Sequence, residues 1–359
     1  MELKLADTYK GGNNSLKLNP YSLNQALKEP FWLKEDEAFH IIRGHMENFK
    51  KPYVATSWGK DSTVLAHLVL RVVKELDIKP ESTHYPIFIL GHTNNIYAEE
   101  KQYWDDIKNF LEIPDEKFII AKPRNNQTVW SIAKEAGHLP NFRRTSKSKS
   151  HGGKQLPYKM RKEPECCDIL KRQPLSDYLK ANSKNMKFDL NFAGLRAEES
   201  QMRRLNLLLH CRTYSTSYGK PYKIRTCLPL GFWTMENVDE YFKKHEIPLN
   251  PAYSLHKQDR LGCASCPAHM DWEQRLANDP TKVGKGMLYM NLKILRATQP
   301  NRFKNTIYSL RKKSLAEDTI QKVLNEPIDE SWTKADIPDV NLDKQVVKSD
   351  ETMLIDSFT

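Results

Sequence analysis

The stretch Ser57-Trp58-Gly59-Lys60-Asp61-Ser62 combines groups that hold a phosphate with one that holds its metal. It follows the apolar run KPYVATS. It precedes Val64, Leu65, Leu68, Val69, Val72, Val73 and Leu76, whose spacing of three and four predicts a helix with a broad buried face. A turn from the end of a strand into a helix N-terminus exposes backbone N–H groups at the positive end of the helix dipole, so it binds anions. Gly59 lets the backbone approach closely, Ser57 and Ser62 donate hydroxyls, Lys60 neutralises phosphate, and Asp61 holds Mg²⁺ or a water on it. The spacing is not that of a Walker A loop, and the plainer alternative is a turn with no ligand at all.

The cysteines form the second constellation. Cys166 and Cys167 are adjacent, and Cys263 and Cys266 form a C-x-x-C about 95 residues later. Four thiolates suffice for one Cys₄ centre, either an iron–sulfur cluster or zinc, although two C-x-x-C knuckles are more usual for zinc. Unliganded buried cysteines are the third reading. Cys211 and Cys227 stand alone and read as small buried hydrophobes, with persulfide carriage as the alternative.

Strands must carry these residues. KPYVATS, YPIFILGHT, KFIIAKP and KFDLNFAG alternate with helical patterns at 62–76 and 98–111, which predicts βαβ units and an α/β fold with a mostly parallel sheet. Residues 1–49 read as a helical extension, 50–275 as the nucleotide-binding domain with the Cys₄ site, 276–325 as C-terminal helices in two or three stretches, and 326–359 as an acidic, extended or disordered tail. Thr234 is the expected N-cap of a helix burying Val238, Tyr241 and Phe242, and Trp233 reads as core.

The net charge is +11, and the tail holds nine acidic and three basic residues, which leaves the rest at about +17. That surplus suits a polyanion, or equally a nucleotide enzyme with a solvated basic surface. Residues 141–162 contain eight Lys or Arg and no acid, which predicts a mobile loop. Arg143, Arg144, Lys147, Lys149 and Lys154 are its candidate contacts to a nucleic-acid backbone. No apolar run approaches the ~18 residues that span a bilayer, and no signal peptide is evident, so a cytoplasmic protein without membrane partners is expected.

SWGKDS resembles the PP-loop, S-G-G-K-D-S, of the adenine-nucleotide alpha-hydrolase superfamily. CCDILKRQPL, GLRAEESQMRR and the segment from PLGFWT to GCASCP resemble motifs of its phosphoadenylylsulfate (PAPS) and adenylylsulfate reductase branch, over about residues 50–270. The resemblance implies a three-layer, doubly wound fold, and a [4Fe–4S] cluster on Cys166, Cys167, Cys263 and Cys266. It implies ATP and Mg²⁺ at Ser57, Gly59, Lys60, Asp61 and Ser62, with Lys60 and Asp61 catalytic. Thr93, Gly194, Arg196, Glu199 and Arg203 complete the nucleotide site.

The reductases carry their attacking cysteine in a C-terminal E-C-G-[LI]-H motif, and no cysteine follows Cys266 in this sequence. The expectation is therefore nearest to the cluster-bearing components of Dnd-type and Ssp-type DNA phosphorothioation: an ATP pyrophosphatase that adenylates a nucleic acid, DNA more than RNA, for sulfur insertion. A cysteine desulfurase or other sulfur donor and further modification subunits would be its partners. The alternatives are a sulfonucleotide reductase borrowing a partner's thiol, a tRNA-thiolating enzyme, and a non-catalytic nucleotide-sensing protein. Trp58 stands where the resemblance has glycine, and its side chain is expected to point outward.

Overall fold

A computed structural model of the chain describes residues 18–140, 165–182, 187–217, 223–259, 261–267, 269 and 271–332. In chain order its elements begin with α1 (Pro20–Lys28), α2 (Phe31–Asn48), β1 (Pro52–Thr56), α3 (Lys60–Glu75), β2 (Ile87–Gly91), α4 (Ala98–Phe110), β3 (Phe118–Ala121) and α5 (Val129–Ala136). They continue with α6 (Gln173–Asn182), β4 (Leu190–Ala193), α7 (Gln201–His210), β5 (Thr213–Ser217), β6 (Lys223–Cys227) and α8 (Met235–Lys244). The last are α9 (Trp272–Ala277), α10 (Lys282–Thr298), α11 (Pro300–Lys312) and α12 (Glu317–Asn325). Two compact units divide them: Met1–Gly91, Gln102–Ala121 and Leu175–Asn250 form the first, and His92–Lys101, Lys122–Pro174 and Pro251–Thr359 the second.

The first unit is built on a six-stranded sheet of order β3-β2-β1-β4-β6-β5, parallel except for the β5–β6 pair. Tyr53 and Val54 on neighbouring positions of β1 are both fully buried, as a parallel strand covered on two faces requires. On one face α3 packs against β1 and β4 through Val64, Leu65, Leu68, Val69 and Val72, all fully buried. Each such side chain contributes roughly 1.5–3 kcal/mol. On the other face Leu179 of α6 meets Tyr53, Ile87 and Ile89. The sheet is thus sandwiched by helices, the expected three-layer α/β class. The α8 helix starts at Thr234, whose hydroxyl accepts from the backbone N–H of Asn237 while the Asn237 side chain accepts from that of Thr234. The antiparallel β5–β6 pair was not anticipated, because TYSTS lacks the apolar run that marks the other strands.

In the second unit α10 is the spine. Its Leu288, Leu292 and Leu295 are fully buried, and α9, α11 and α12 pack around it. Among the described residues four α-helices follow Cys266, where two or three were expected. Helix α5, also not anticipated, is capped by Thr128 and Ser131 at its start and ends on Gly137, whose φ of 65° requires glycine or a strained residue. Among the described residues no helix is long and apolar enough to cross a membrane.

Candidate functional site

The sheet order runs away from β1 in both directions, so the gap beyond the carboxyl ends of β1 and β4 is the switch point at which open α/β sheets take ligands. Residues 57–62 leave β1 there and residues 194–199 leave β4. The two turns touch: a Cβ on Gly194 would lie 3.1 Å from the Asp61 carbonyl oxygen, so a larger residue would push them apart.

The first turn is braced by its own hydroxyls. Ser62 Oγ donates to the Gly59 carbonyl at 3.0 Å and accepts from the Ser57 N–H at 3.2 Å, with Ser57 Oγ 3.3 Å away. Gly59 occupies the N-cap of α3 and offers no side-chain cap, so the first-turn N–H groups have no partner from that residue. Lys60 Nζ donates to Asp239 Oδ1 of α8 at 2.8 Å.

Arg196 is the buried node between the turns, at 2% exposure. Its Nε donates to Asp61 Oδ1 at 2.7 Å and its Nη1 to Glu198 Oε2 at 2.9 Å. Its backbone N–H donates to Glu199 Oε2 at 2.9 Å, and Glu199 in turn pairs with Arg203. Burial pushes the Asp61 carboxyl above its ordinary value, against the pull of Arg196. Sequence reasoning missed Asp239 and Glu198. Nothing local marks Asp239, whereas Glu198 sits beside Glu199 and also accepts from the Met235 N–H at 2.6 Å. Lys60, Arg196 and Arg203 thus each face a carboxylate.

Trp58 corrects an expectation. Its ring is fully buried rather than outward, stacked on Phe118 at 5.3 Å with planes 7° apart and near Phe88 at 6.3 Å. A φ of 52° turns the side chain inward, and its N–H donates to Thr56 Oγ1 at 3.0 Å. The aromatic rings of β2 and β3 reward that strained conformation, which costs roughly 1–2 kcal/mol for a non-glycine residue. Trp58→Gly removes the strain but also the stacked ring, and truncating a buried Trp typically costs 3–5 kcal/mol, so a net loss of about 2–4 kcal/mol is expected. Urea unfolding at fixed pH measures it; an unchanged or raised midpoint would mean the ring is not an anchor of the turn.

In the second unit the four motif cysteines come together. Cys166, Cys167 and Cys263 share one apolar pocket with Val129, Ile132 and Leu170, and Cys263 and Cys266 lie close enough to act electrostatically on Cys166. The hydrogen bond between the paired thiols raises Cys166 and lowers Cys167, and loss of solvent pushes Cys263 up. Lys171, on a π-helical turn over Asp168–Arg172, is pushed up chiefly by Cys263. Four thiols beside an ammonium are a donor set suited to a metal or cluster. Among the described residues, however, no three His, Cys, Asp or Glu side chains stand in metal-holding geometry. The Thr93 hydroxyl bonds to Cys263 and to the Asn95 carbonyl, which places it on the cysteine loop of this unit. Cys227 is fully buried, as expected of a lone cysteine, and Cys211 is half-buried. Arg143, Arg144, Lys147, Lys149 and Lys154 lie outside the described residues.

Comparison with known proteins adds names. The pattern described as "Phosphoadenosine phosphosulfate reductase domain" matches residues 51–269. A "Sulfate adenylyltransferase subunit 2" of Rhizobium tropici is 24% identical, over 67% of this chain and 69% of its own. An "Adenosine 5'-phosphosulfate reductase" of Bacillus cereus is 26% identical, over 65% of this chain and 82% of its own. Among solved structures, a phosphoadenylyl-sulfate reductase from Candida auris is 16% identical, with a TM-score of 0.41, over 70% of this chain and 98% of that one. These matches overturn the expected adenylation of DNA for sulfur insertion and leave its nucleic-acid partner without support. The physical reason is that a cationic surplus does not distinguish a phosphate backbone from one nucleotide carrying a tetrahedral sulfate.

Proposed function

Because the chain belongs to the phosphoadenosine phosphosulfate reductase domain family, we propose that it is an enzyme of sulfonucleotide metabolism. It binds an adenylyl nucleotide at the turn after β1, and its reaction makes or breaks the link between the α-phosphate and sulfate. The observation that carries this reading is the Gly194 contact that brings Arg196 and Asp61 to the N-terminus of α3 beside Lys60.

The first reaction is reduction. A donor thiolate attacks the sulfur of adenylylsulfate or its 3′-phosphate, the S–O bond breaks and the nucleotide phosphate leaves. A second thiolate then displaces sulfite from the thiosulfonate, so that two thiols become one disulfide as sulfur is reduced. Lys60 and the N–H groups of α3 stabilise charge on the departing phosphate, while Arg196 holds Asp61 and the turn in place. A partner supplies the thiols. Cys166, Cys167, Cys263 and Cys266 would hold a [4Fe–4S] cluster, which supplies an electron-rich redox-capable centre when bound, and its presence requires about four iron and four sulfide per chain.

The sulfate adenylyltransferase relatives favour a second reaction, on the same phosphate–sulfate link but without a redox change. Here a sulfate oxygen attacks the α-phosphorus of ATP and pyrophosphate leaves; Asp61 would hold a Mg²⁺ that neutralises phosphate charge, and a further subunit would be the partner. Both reactions require the site to sense the sulfate. Equilibrium titration should show adenylylsulfate binding at least about tenfold tighter than AMP, the worth of one charge-assisted hydrogen bond. Equal affinity for the two ligands would overturn the reading.

A further inference from the structure

The family pattern ends at residue 269, yet the helices that follow return their side chains to the C-x-x-C loop. Arg275 of α9 donates from Nη2 to the Ala264 carbonyl at 2.9 Å, and from Nη1 to Gln258 Oε1 at 2.6 Å. Asn291 of α10 donates from Nδ2 to the Ser265 carbonyl at 2.9 Å while its Oδ1 accepts from Trp130 Nε1 of α5 at 3.0 Å. Arg302 of α11 donates from Nη2 to the Pro267 carbonyl at 2.8 Å, and its Nη1 donates to the carbonyls of Leu139 and Pro140 at 2.9 Å each.

Three helices thus each hold one carbonyl of a five-residue loop. The remaining contacts agree. The Cys263 carbonyl accepts from the Cys266 N–H at 3.0 Å, and the Ala264 N–H donates to the Asn95 carbonyl at 2.8 Å. Asn291 is fully buried and Ser265 is too. Coordination can order such a loop by itself, because metal binding supplies folding energy. A loop whose carbonyls are already engaged stays in place without a metal, since releasing it would strand the fully buried Asn291 amide unpaired.

We propose that α9, α10 and α11 form a clamp that fixes the spacing of Cys263 and Cys266 before any metal arrives, with Asn291 its central positioning residue and Arg275 and Arg302 flanking it. This rests on the reading of the four cysteines as one centre. The clamp gives the C-terminal helices a role in positioning two of the four thiols, and it predicts that the metal-free protein keeps the loop of Cys263 and Cys266 in place.

The test is the rate at which each cysteine of reduced, chelator-treated full-length protein is alkylated by iodoacetamide in native buffer, read site by site by mass spectrometry. Asn291→Ala should speed Cys263 and Cys266 by about tenfold through local opening, with buried Cys227 unchanged. Arg275→Lys, a milder change at a half-buried position, should give a smaller acceleration of the same two thiols. Acceleration of Cys227 to the same extent in both variants would show global destabilisation, and no acceleration in either would show a loop held by other means. Either result overturns the clamp. Iron, sulfide and zinc are assayed separately on untreated protein, so the clamp stands if the centre holds no cluster, and the cluster stands if the clamp fails.

Discussion

Lys60→Ala is expected to lower sulfonucleotide turnover by about two to three orders of magnitude, the usual effect of removing a group aimed at developing charge. Stability should hardly change. The ion pair of Lys60 with Asp239 is partly exposed, at 22% and 45% of the two side chains, and such pairs contribute about 0–1 kcal/mol. Because the ammonium sits in the first turn of α3, its loss leaves the backbone N–H groups and the helix dipole in place, so nucleotide binding should weaken less than turnover. Lys60→Arg should recover part of the binding and little of the rate, since a planar fork does not reproduce a point charge. Steady-state kinetics with urea unfolding of the same preparations checks both statements. A variant within threefold of wild type would remove Lys60 from the reaction.

Arg196→Ala should destabilise the protein about as much as Trp58→Gly, by loss of charge compensation rather than of packing. The guanidinium is 2% exposed and binds Asp61 and Glu198, so its removal leaves a partly buried carboxylate whose pKa burial already pushes up. Breaking a buried pair costs about 3–5 kcal/mol, and because Asp61 keeps 20% exposure a loss of about 2–4 kcal/mol is expected. The variant's deficit should be smaller at pH 5 than at pH 8. Once the guanidinium is gone, the Asp61 pKa rises further above its unfolded value, and protonation at low pH relieves the uncompensated charge. Arg196→Ala combined with Asp61→Asn should recover a good part of the stability while remaining inactive. No recovery in the double variant would show that Arg196 acts by packing rather than by charge.

How much of this was legible differs from residue to residue. Residues 57–62 could be read because strand, turn and helix are contiguous and each has its own periodicity. Gly194 and Arg196 came only through resemblance; their role depends on β4 lying beside β1, which no local pattern states. The thiol spacing was visible, but the residues that hold the C-x-x-C loop were not, because an asparagine or arginine on an amphipathic helix looks like any other polar position. Trp58 was read the wrong way round because its orientation is decided by Phe88 and Phe118 on other strands. The acceptor was misread for a related reason. A run of basic residues records charge, and charge alone does not say which anion it meets.

The central claim is tested most directly by offering anaerobically prepared full-length protein adenylylsulfate or its 3′-phosphate with dithiothreitol, and in parallel ATP with sulfate and Mg²⁺. The products to follow are sulfite, AMP and pyrophosphate. The account predicts sulfite and a 5′-phosphorylated adenosine nucleotide in equal amounts from the first mixture, or sulfate-dependent pyrophosphate from the second, in either case lost in Lys60→Ala. Intact nucleotides in both mixtures, from protein that is folded and binds neither sulfonucleotide, would contradict it.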